Sequence, residues 1–377
     1  MVEWKKLSDV FDIKNGYTPS KNVPEYWDNG TIPWFRMEDI RLKGGILSDS
    51  IQHISPEAVK SSGLFPANTI IVATTATIGE HALVIVDSLA NQQFTALSCR
   101  KSLKQSVLPR FAYYYCFKLD DWCKTHIRKG GFASVDMDGF KKYPFPVPSL
   151  SEQNRIVGIL DTFTASIDNM KEQIAQRRKQ YEYYRDQLLD LEGKEGVERI
   201  ALKDVCEVIN GRAYKQQELL NEGKYRVLRV GNFFSNESWY YSDLNLEDKY
   251  YCESGDLLYA WSASFGPHIW KEEKVIYHYH IWKINCGDSL NKRFMYFWLQ
   301  SEDMKKQAFT NLHGATMAHL TKALMESLMV PVPSLSEQNR IVDILDKFEA
   351  CIQNLEAQLA QREKQYEYYR NKLLTFE

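Results

Sequence analysis

From residue 156 onward, apolar side chains recur in alternating steps of four and three: Ile156, Leu160, Phe163, Ile167, Met170 and Ile174, then Arg177, Tyr181, Tyr184, Leu188 and Leu191. The same spacing returns through Ile341, Leu345, Phe348, Ile352, Leu355, Leu359, Arg362, Tyr366, Tyr369, Leu373 and Phe376. A heptad seam sustained this long predicts a coiled coil, with these residues as its pairing face. No glycine or proline falls between residues 159 and 191. Upstream, Pro148 and Pro333 stop an extended run, and Ser149-x-x-Glu152 and Ser334-x-x-Glu337 have the form of a capping box. Each predicted helix is about 42 residues, hence roughly 60 Å long at 1.5 Å per residue.

The two helices are copies of one segment. Residues 146–189 and 331–374 align without a gap, and 32 of the 44 positions are identical. The offset of 185 residues is too long for a solenoid, so a large unit is duplicated. A weaker echo opens each copy, where Leu7-Ser8-Asp9-Val10 to Asn15-Gly16 matches Leu202-Lys203-Asp204-Val205 to Asn210-Gly211. Between echo and repeat the copies share little, apart from a faint match of residues 73–79 with 260–266.

If the helices ran parallel, the second variable domain would begin and end about 60 Å apart. A domain of that size has a radius of gyration of about 14 Å. The expected pairing is therefore antiparallel, giving a dumbbell with approximate two-fold symmetry. Arg177 and Arg362 occupy matching seam positions. They either fix the register or pack their stems while the guanidinium reaches water, and the second is expected. Tyr183 and Tyr368 fall off the seam, facing a partner protein or the adjoining globular domain.

The variable stretches read as mixed structure. Residues 69–73, 82–86 and 275–284 are strand-like, and Phe111–Phe117 and Phe294–Leu299 look like aromatic core helices. The expected fold is α+β: two mixed α/β domains separated by two long helices that pair as an antiparallel coiled coil, with a pseudo-two-fold internal repeat. The expected boundaries are 1–145 for the first variable domain, 146–196 for the first helix and linker, 197–330 for the second domain and 331–377 for the second helix.

Composition narrows the class. With 377 residues, 25% charged and 44% hydrophobic, the chain is expected to be a soluble multidomain protein. No signal-peptide pattern or membrane-length apolar run occurs, and the seven cysteines form no Cys-x-x-Cys pair. A reducing cytoplasm with free thiols is the expected setting. His278-x-His280 would share one face of a strand, but no third ligand lies nearby in sequence, and no metal site is expected.

No phosphate-cradling loop, Gly-x-Ser-x-Gly or His-Glu-x-x-His motif occurs, and the Asn/Asp-Pro-Pro-aromatic signature of amino-methyltransferases is missing. A noncatalytic chain is expected. Residues 1–145 hold 18 basic and 15 acidic groups, residues 197–330 hold 16 and 17, and the helical remainder 13 and 17. The basic excess thus lies in the first domain, interleaved with glycine and aromatics. Lysine and arginine suit phosphate contacts, while short polar side chains suit base edges. Candidate DNA contacts beside turns are Lys21, Arg36, Thr75, Thr77, Arg128 and Lys129, then Arg212, Lys215, Arg229, Ser262, Ser264 and His313.

The doubled Pro-x-Pro-Ser-Leu-Ser-Glu-Gln-Asn-Arg-Ile-Val with Ile-Leu-Asp following, placed after two variable domains, resembles the specificity subunit of type I restriction-modification systems. The resemblance implies that each variable domain is a target recognition domain reading half of a split, asymmetric double-stranded DNA site. It implies that the helices set the gap and dock two adenine methyltransferase subunits, which restriction/translocase subunits join. S-adenosylmethionine, ATP and magnesium would then belong to those partners. The alternative is a noncatalytic two-headed protein-binding scaffold.

Overall fold

The computed structural model describes residues 2–128, 133–234, 236–262, 264–309 and 320–376. It forms two compact units, Met1–Met170 with Leu359–Glu377, and Lys171–Gln358. The division passes through both long helices, Leu150–Leu189 and Leu335–Leu373. Seam residues of both helices join the core of each unit.

Among the described residues of the first unit, a five-stranded sheet runs in the order Phe11–Asn15, Phe94–Cys99, Thr69–Ala73, His81–Val84, Ile46–Leu47. A three-stranded sheet, His53–Ile54, Ile32–Phe35 and Leu89–Ala90, lies beside it in sequence. Helix Pro109–Thr125 buries Phe111, Tyr114 and Tyr115 in one cluster with sheet residues Ile70, Val72 and Leu97. Among the described residues of the second unit, one four-stranded sheet follows the order Cys206–Asn210, Ile281–Cys286, Leu257–Ser262, Ser264–Ile269. The other runs Tyr240–Ser242, Tyr225–Leu228, Val275–Tyr277, Tyr251–Cys252. Helix Lys292–Trp298 buries Phe294, Phe297 and Trp298. A terminal ribbon closes each unit in the same register, with Glu3 opposite Val147 and Glu198 opposite Val332.

Each unit shows antiparallel helix pairing. In the first, Phe163 stacks on Tyr369 with centroids 5.5 Å apart and meets Tyr366 at 6.3 Å. Leu374 there shares a buried cluster with Ile156 and Leu160. In the second, Tyr184 stacks on Phe348 at 5.5 Å, the Tyr181 hydroxyl donates to Glu349, and Arg178 meets Glu356 at 2.5 Å. Rising positions on one helix meet falling positions on the other.

Of the seam, Ile156, Leu160, Ile341 and Leu345 are fully enclosed, and Ile167, Ile174, Tyr181 and Ile352 are buried. Met170, Phe163, Phe348, Leu355, Leu359 and Tyr366 are half-buried, while Tyr184 and Tyr369 remain exposed at their edges. At the C-terminal ends the deepest residues are Leu189 and Leu374, whereas Leu188 and Leu373 are half-buried. A straight helix drifts about 20° per heptad against a strict seven-residue repeat, so the inward face has moved by one position.

Two local expectations change. The serines do cap, since Ser149 Oγ and Ser334 Oγ each accept the N–H three residues on at 3.3 Å. The glutamates do not reach back; Glu152 binds Arg155 and Glu337 binds Arg340, both at i+3. His278 and His280 lie in a turn between strands Val275–Tyr277 and Ile281–Cys286, not along one strand face.

The repeated motif also carries an anchor. Gln153 is fully enclosed; its Oε1 accepts from Leu108 N at 2.9 Å, and its Nε2 donates to Ser106 O at 2.7 Å and Pro148 O at 2.8 Å. Gln338 repeats this with Asn291 N at 2.7 Å, Ser289 O at 2.9 Å and Pro333 O at 2.8 Å. Eight residues further on, about two turns, Arg110 pairs with Asp161, and Arg293 pairs with Asp346 at 2.7 Å. Amide and ion pair together lock each aromatic helix to the long helix that follows it.

Candidate nucleic-acid interface

Each unit builds a polar pole where four segments converge, and the same hydrogen bonds build both. Tyr17 N donates to Ala90 O at 2.9 Å, and Arg212 N to Tyr277 O at 3.1 Å. Gly16 N binds Phe94 O as Gly211 N binds Ile281 O. Asn91 N reaches Phe35 O at 3.0 Å, and His278 N reaches Leu228 O at 2.9 Å. Thr74 N meets Gln93 O as Trp261 N meets His280 O. The parallel strand pairs agree, with Phe35 opposite Ala90 and Leu228 opposite Tyr277.

These bonds set residues 16–18 against 211–213, 34–37 against 227–230, 73–75 against 260–262, and 91–93 against 278–280. The glycines are required by close approach. A Cβ on Gly16 would stand 2.2 Å from Asn91 O, and one on Gly211 would stand 2.3 Å from His278 O.

In the first unit, Lys21 and Arg36 line one depression with Thr18, Trp27, Gln52 and Gln92. Thr18 Oγ1 donates to Gln92 Oε1. Arg36 binds Glu38 at 2.8 Å and lies 5.8 Å from the centre of the Trp34 ring. Thr75 bridges to Ser134, whose other neighbour is Arg128. Arg128 itself sits 3.3 Å from Asp136 and 3.4 Å from Asp138. Thr77 Oγ1 is buried with no hydrogen-bond partner. Between these threonines Ala76 holds φ at 62°, in the left-handed region that alanine adopts only under constraint. Because Thr74 N binds Gln93 O, the two groups of candidates are joined through the 91–93 segment.

The second unit furnishes the same frame differently. The Arg212 guanidinium grips Glu218 through two contacts of 2.7 and 3.0 Å. That guanidinium, with the Lys215 backbone N–H, holds the Glu218 carboxyl down at about 2. The Lys215 side chain is exposed beside it. Arg229 lies 5.2 Å over the Tyr240 ring. His278, Tyr279 and His280 pack ring to ring with centroids 4.0–4.9 Å apart. Burial, then His280 and Arg229, pushes His278 down to about 4, and burial alone does the same to His268, which stacks on Phe233 at 4.0 Å. Both imidazoles are therefore neutral near pH 7. Ser262 and Ser264 pair at the end of their hairpin.

Lys129 and His313 lie outside the described residues. Sequence reasoning missed the side chains of 91–93 and 278–280, because nothing in a single chain marks those turns as neighbours of Arg36 and Arg229. Among the described residues, no group of three or more His, Cys, Asp or Glu could hold a metal, and no helix is long and apolar enough to cross a membrane.

A specificity subunit of a type I restriction enzyme (EcoprrI) from Escherichia coli is 50% identical over 209 residues, covering 51% of this chain and 52% of the relative. A second Escherichia coli specificity subunit is 35% identical over 209 residues, so the chain spans about half the length of these two relatives. The MjaIX specificity subunit of Methanocaldococcus jannaschii is 25% identical over 398 residues, covering 96% of this chain and 88% of the relative. Two solved structures share the fold. One comes from a study of assembly and conformational transition in the type I R-M system, at 18% identity and TM-score 0.67, covering 99% of this chain and 97% of that one. The other is an S subunit from M. genitalium, at 16% identity and TM-score 0.54, covering 100% and 97%. The type I restriction modification DNA specificity domain matches twice, over residues 1–177 and 194–364, and the chain belongs to that family.

Proposed function

We propose that this chain is the DNA-reading subunit of a type I restriction-modification complex. Each recognition domain binds one half of an asymmetric split site in double-stranded DNA. The observation that carries the reading is the pair of polar poles, built by matching hydrogen bonds yet furnished with different side chains. A shared frame suits a shared polymer, and different furnishing suits different base sequences. Phosphate contacts give orientation while base-edge contacts give sequence.

The long helices serve as spacer and docking rod. Their near-identity suits two copies of one partner, the adenine methyltransferase subunit, with restriction/translocase subunits joining that assembly. S-adenosylmethionine, ATP and magnesium reside on those partners, and this chain transfers no methyl group and cuts no DNA itself. The complex works in the cytoplasm. The domain limits we assign for exchange are 1–145 and 197–330.

Methylome sequencing of cells expressing the chain with its methyltransferase should show one bipartite motif with unlike halves. Replacing residues 1–145 by another family member's first domain should change one half alone. A motif that changes in both halves, or no sequence-specific methylation at all, would overturn the reading.

A further inference from the structure

In the four segments that converge at each pole, the residues identical in both copies are Gly16 with Gly211, Ala73 with Ala260, and Arg36 with Arg229. Packing explains the first two pairs: a side chain at either glycine would strike backbone, and both alanines are fully enclosed. It does not explain the arginine. Arg36 is half-buried and Arg229 exposed, each follows the strand that pairs with the 89–90 or 276–277 strand, and each begins a short helical turn. Their backbones are held alike, with Arg36 N donating to Asp39 Oδ2 at 2.7 Å and Arg229 N to Asn232 Oδ1 at 3.1 Å.

Everything around the arginines differs. Trp34-Phe35 stands where Val227-Leu228 stands, and Asn91-Gln92-Gln93 where His278-Tyr279-His280 stands. The two domains, on the function proposed above, read different bases. What remains common to any two half-sites is the phosphodiester backbone. A charged side chain kept in one place while its neighbours change is matched to that common feature.

Charge balance agrees. Among the described residues of the two globular domains, Arg229 is the arginine with no carboxylate partner; it lies on the Tyr240 ring beside the neutral His278. Arg36 has Glu38 alone, and that carboxylate is itself largely exposed to solvent.

We propose that Arg36 and Arg229 are one contact made twice: each grips a backbone phosphate of its half-site and sets the register in which the divergent residues beside it meet the bases. They are positioning residues and do not read sequence. The inference rests on the DNA-reading function, and the test separates the two.

The full chain is titrated with two duplexes, one carrying the motif found by methylome sequencing and one with both half-sites scrambled, across a range of salt. R36Q and R229Q should each weaken both duplexes by the same factor, about tenfold for one charge-assisted hydrogen bond. Each should flatten the slope of log K against log salt by about 0.9. R36K and R229K keep the charge, so they should retain most of the slope and the same methylated motif. A guanine reader depends on the bidentate fork and would lose specificity at one base with lysine. Relaxation of the motif at a single position, or glutamine variants with unchanged affinity and slope, overturns the inference. Wild-type chain with no salt-dependent affinity for either duplex overturns the proposed function itself.

Discussion

Replacing Gln153 by leucine should destabilise the first unit selectively. The substitution conserves bulk but removes one acceptor and two donor hydrogens from an enclosed site. Leu108 N–H and the carbonyls of Ser106 and Pro148 then lose this partner away from water. An unsatisfied buried group costs about 1–3 kcal/mol, and carbonyls, with two lone pairs, fall toward the lower end. The sum is about 3–5 kcal/mol. For a unit of this size each kcal/mol moves the melting temperature by roughly 2–4 °C, so a fall on the order of 10 °C is expected. Scanning calorimetry of Q153L beside Q338L is the assay, with hydrogen exchange locating the loss. Exchange should quicken in helix Pro109–Thr125 for Q153L and in helix Lys292–Trp298 for Q338L. A Q153L melt within 2 °C of wild type, or loosening of the other unit, would refute the anchoring role (threshold roughly the smallest shift expected for 1 kcal/mol).

Lengthening both long helices by one heptad preserves the seam and adds roughly 10 Å, so the preferred gap between half-sites should grow by about three base pairs; a gap-length binding library showing no change would remove the helices as the spacer. E218Q frees the Arg212 guanidinium and should tighten binding to any duplex and steepen its salt slope; unchanged binding would place Arg212 off the DNA path. Glu218 is held at about 2, below its ordinary 4.5. Its contribution to stability is therefore present above pH 4.5 and lost as pH falls toward 2, and E218Q should flatten wild-type melting curves in that window. His278, lowered to about 4 by burial, His280 and Arg229, should leave DNA affinity level from pH 8 down to about pH 6. The stability it contributes is present above its unfolded pKa of 6.5 and lost as pH falls through about 4; a binding inflection near 6.5 that vanishes in H278N would contradict its neutral state.

The long helices were the most legible part of the chain, because a heptad pattern repeated twice leaves one structural answer. Strand Thr69–Ala73 and both aromatic helices also fell where the pattern put them. The first runs well past its apolar stretch at 111–117, and the second starts two residues before Phe294 and ends one before Leu299. Gln153 and Gln338 were invisible in function: a glutamine near a helix start reads as surface, and only the fold turns its amide inward. The correspondence of Arg36 with Arg229 was hidden by unequal loops. The offset is 195 at Gly16 and Gly211, 193 at the arginines and 187 at Asn91 and His278. A gapless comparison cannot follow three offsets, whereas backbone hydrogen bonds do so directly.

The twin anchors bear on how such a gene can change. Gln153, Asp161 and their counterparts all reside in the repeated segment, so a crossover between its copies leaves the receiving socket intact whichever reader arrives. The incoming reader meets that socket with backbone groups, as at Ser106 and Leu108, and with an arginine near the start of its aromatic helix, as Arg110 and Arg293 are here. A newcomer lacking that arginine would leave Asp161 with the Tyr114 hydroxyl and with solvent, a small loss because the carboxylate is 38% exposed. The joint therefore asks little of an incoming reader's side chains, because most of its hydrogen bonds run to backbone groups that any sequence supplies.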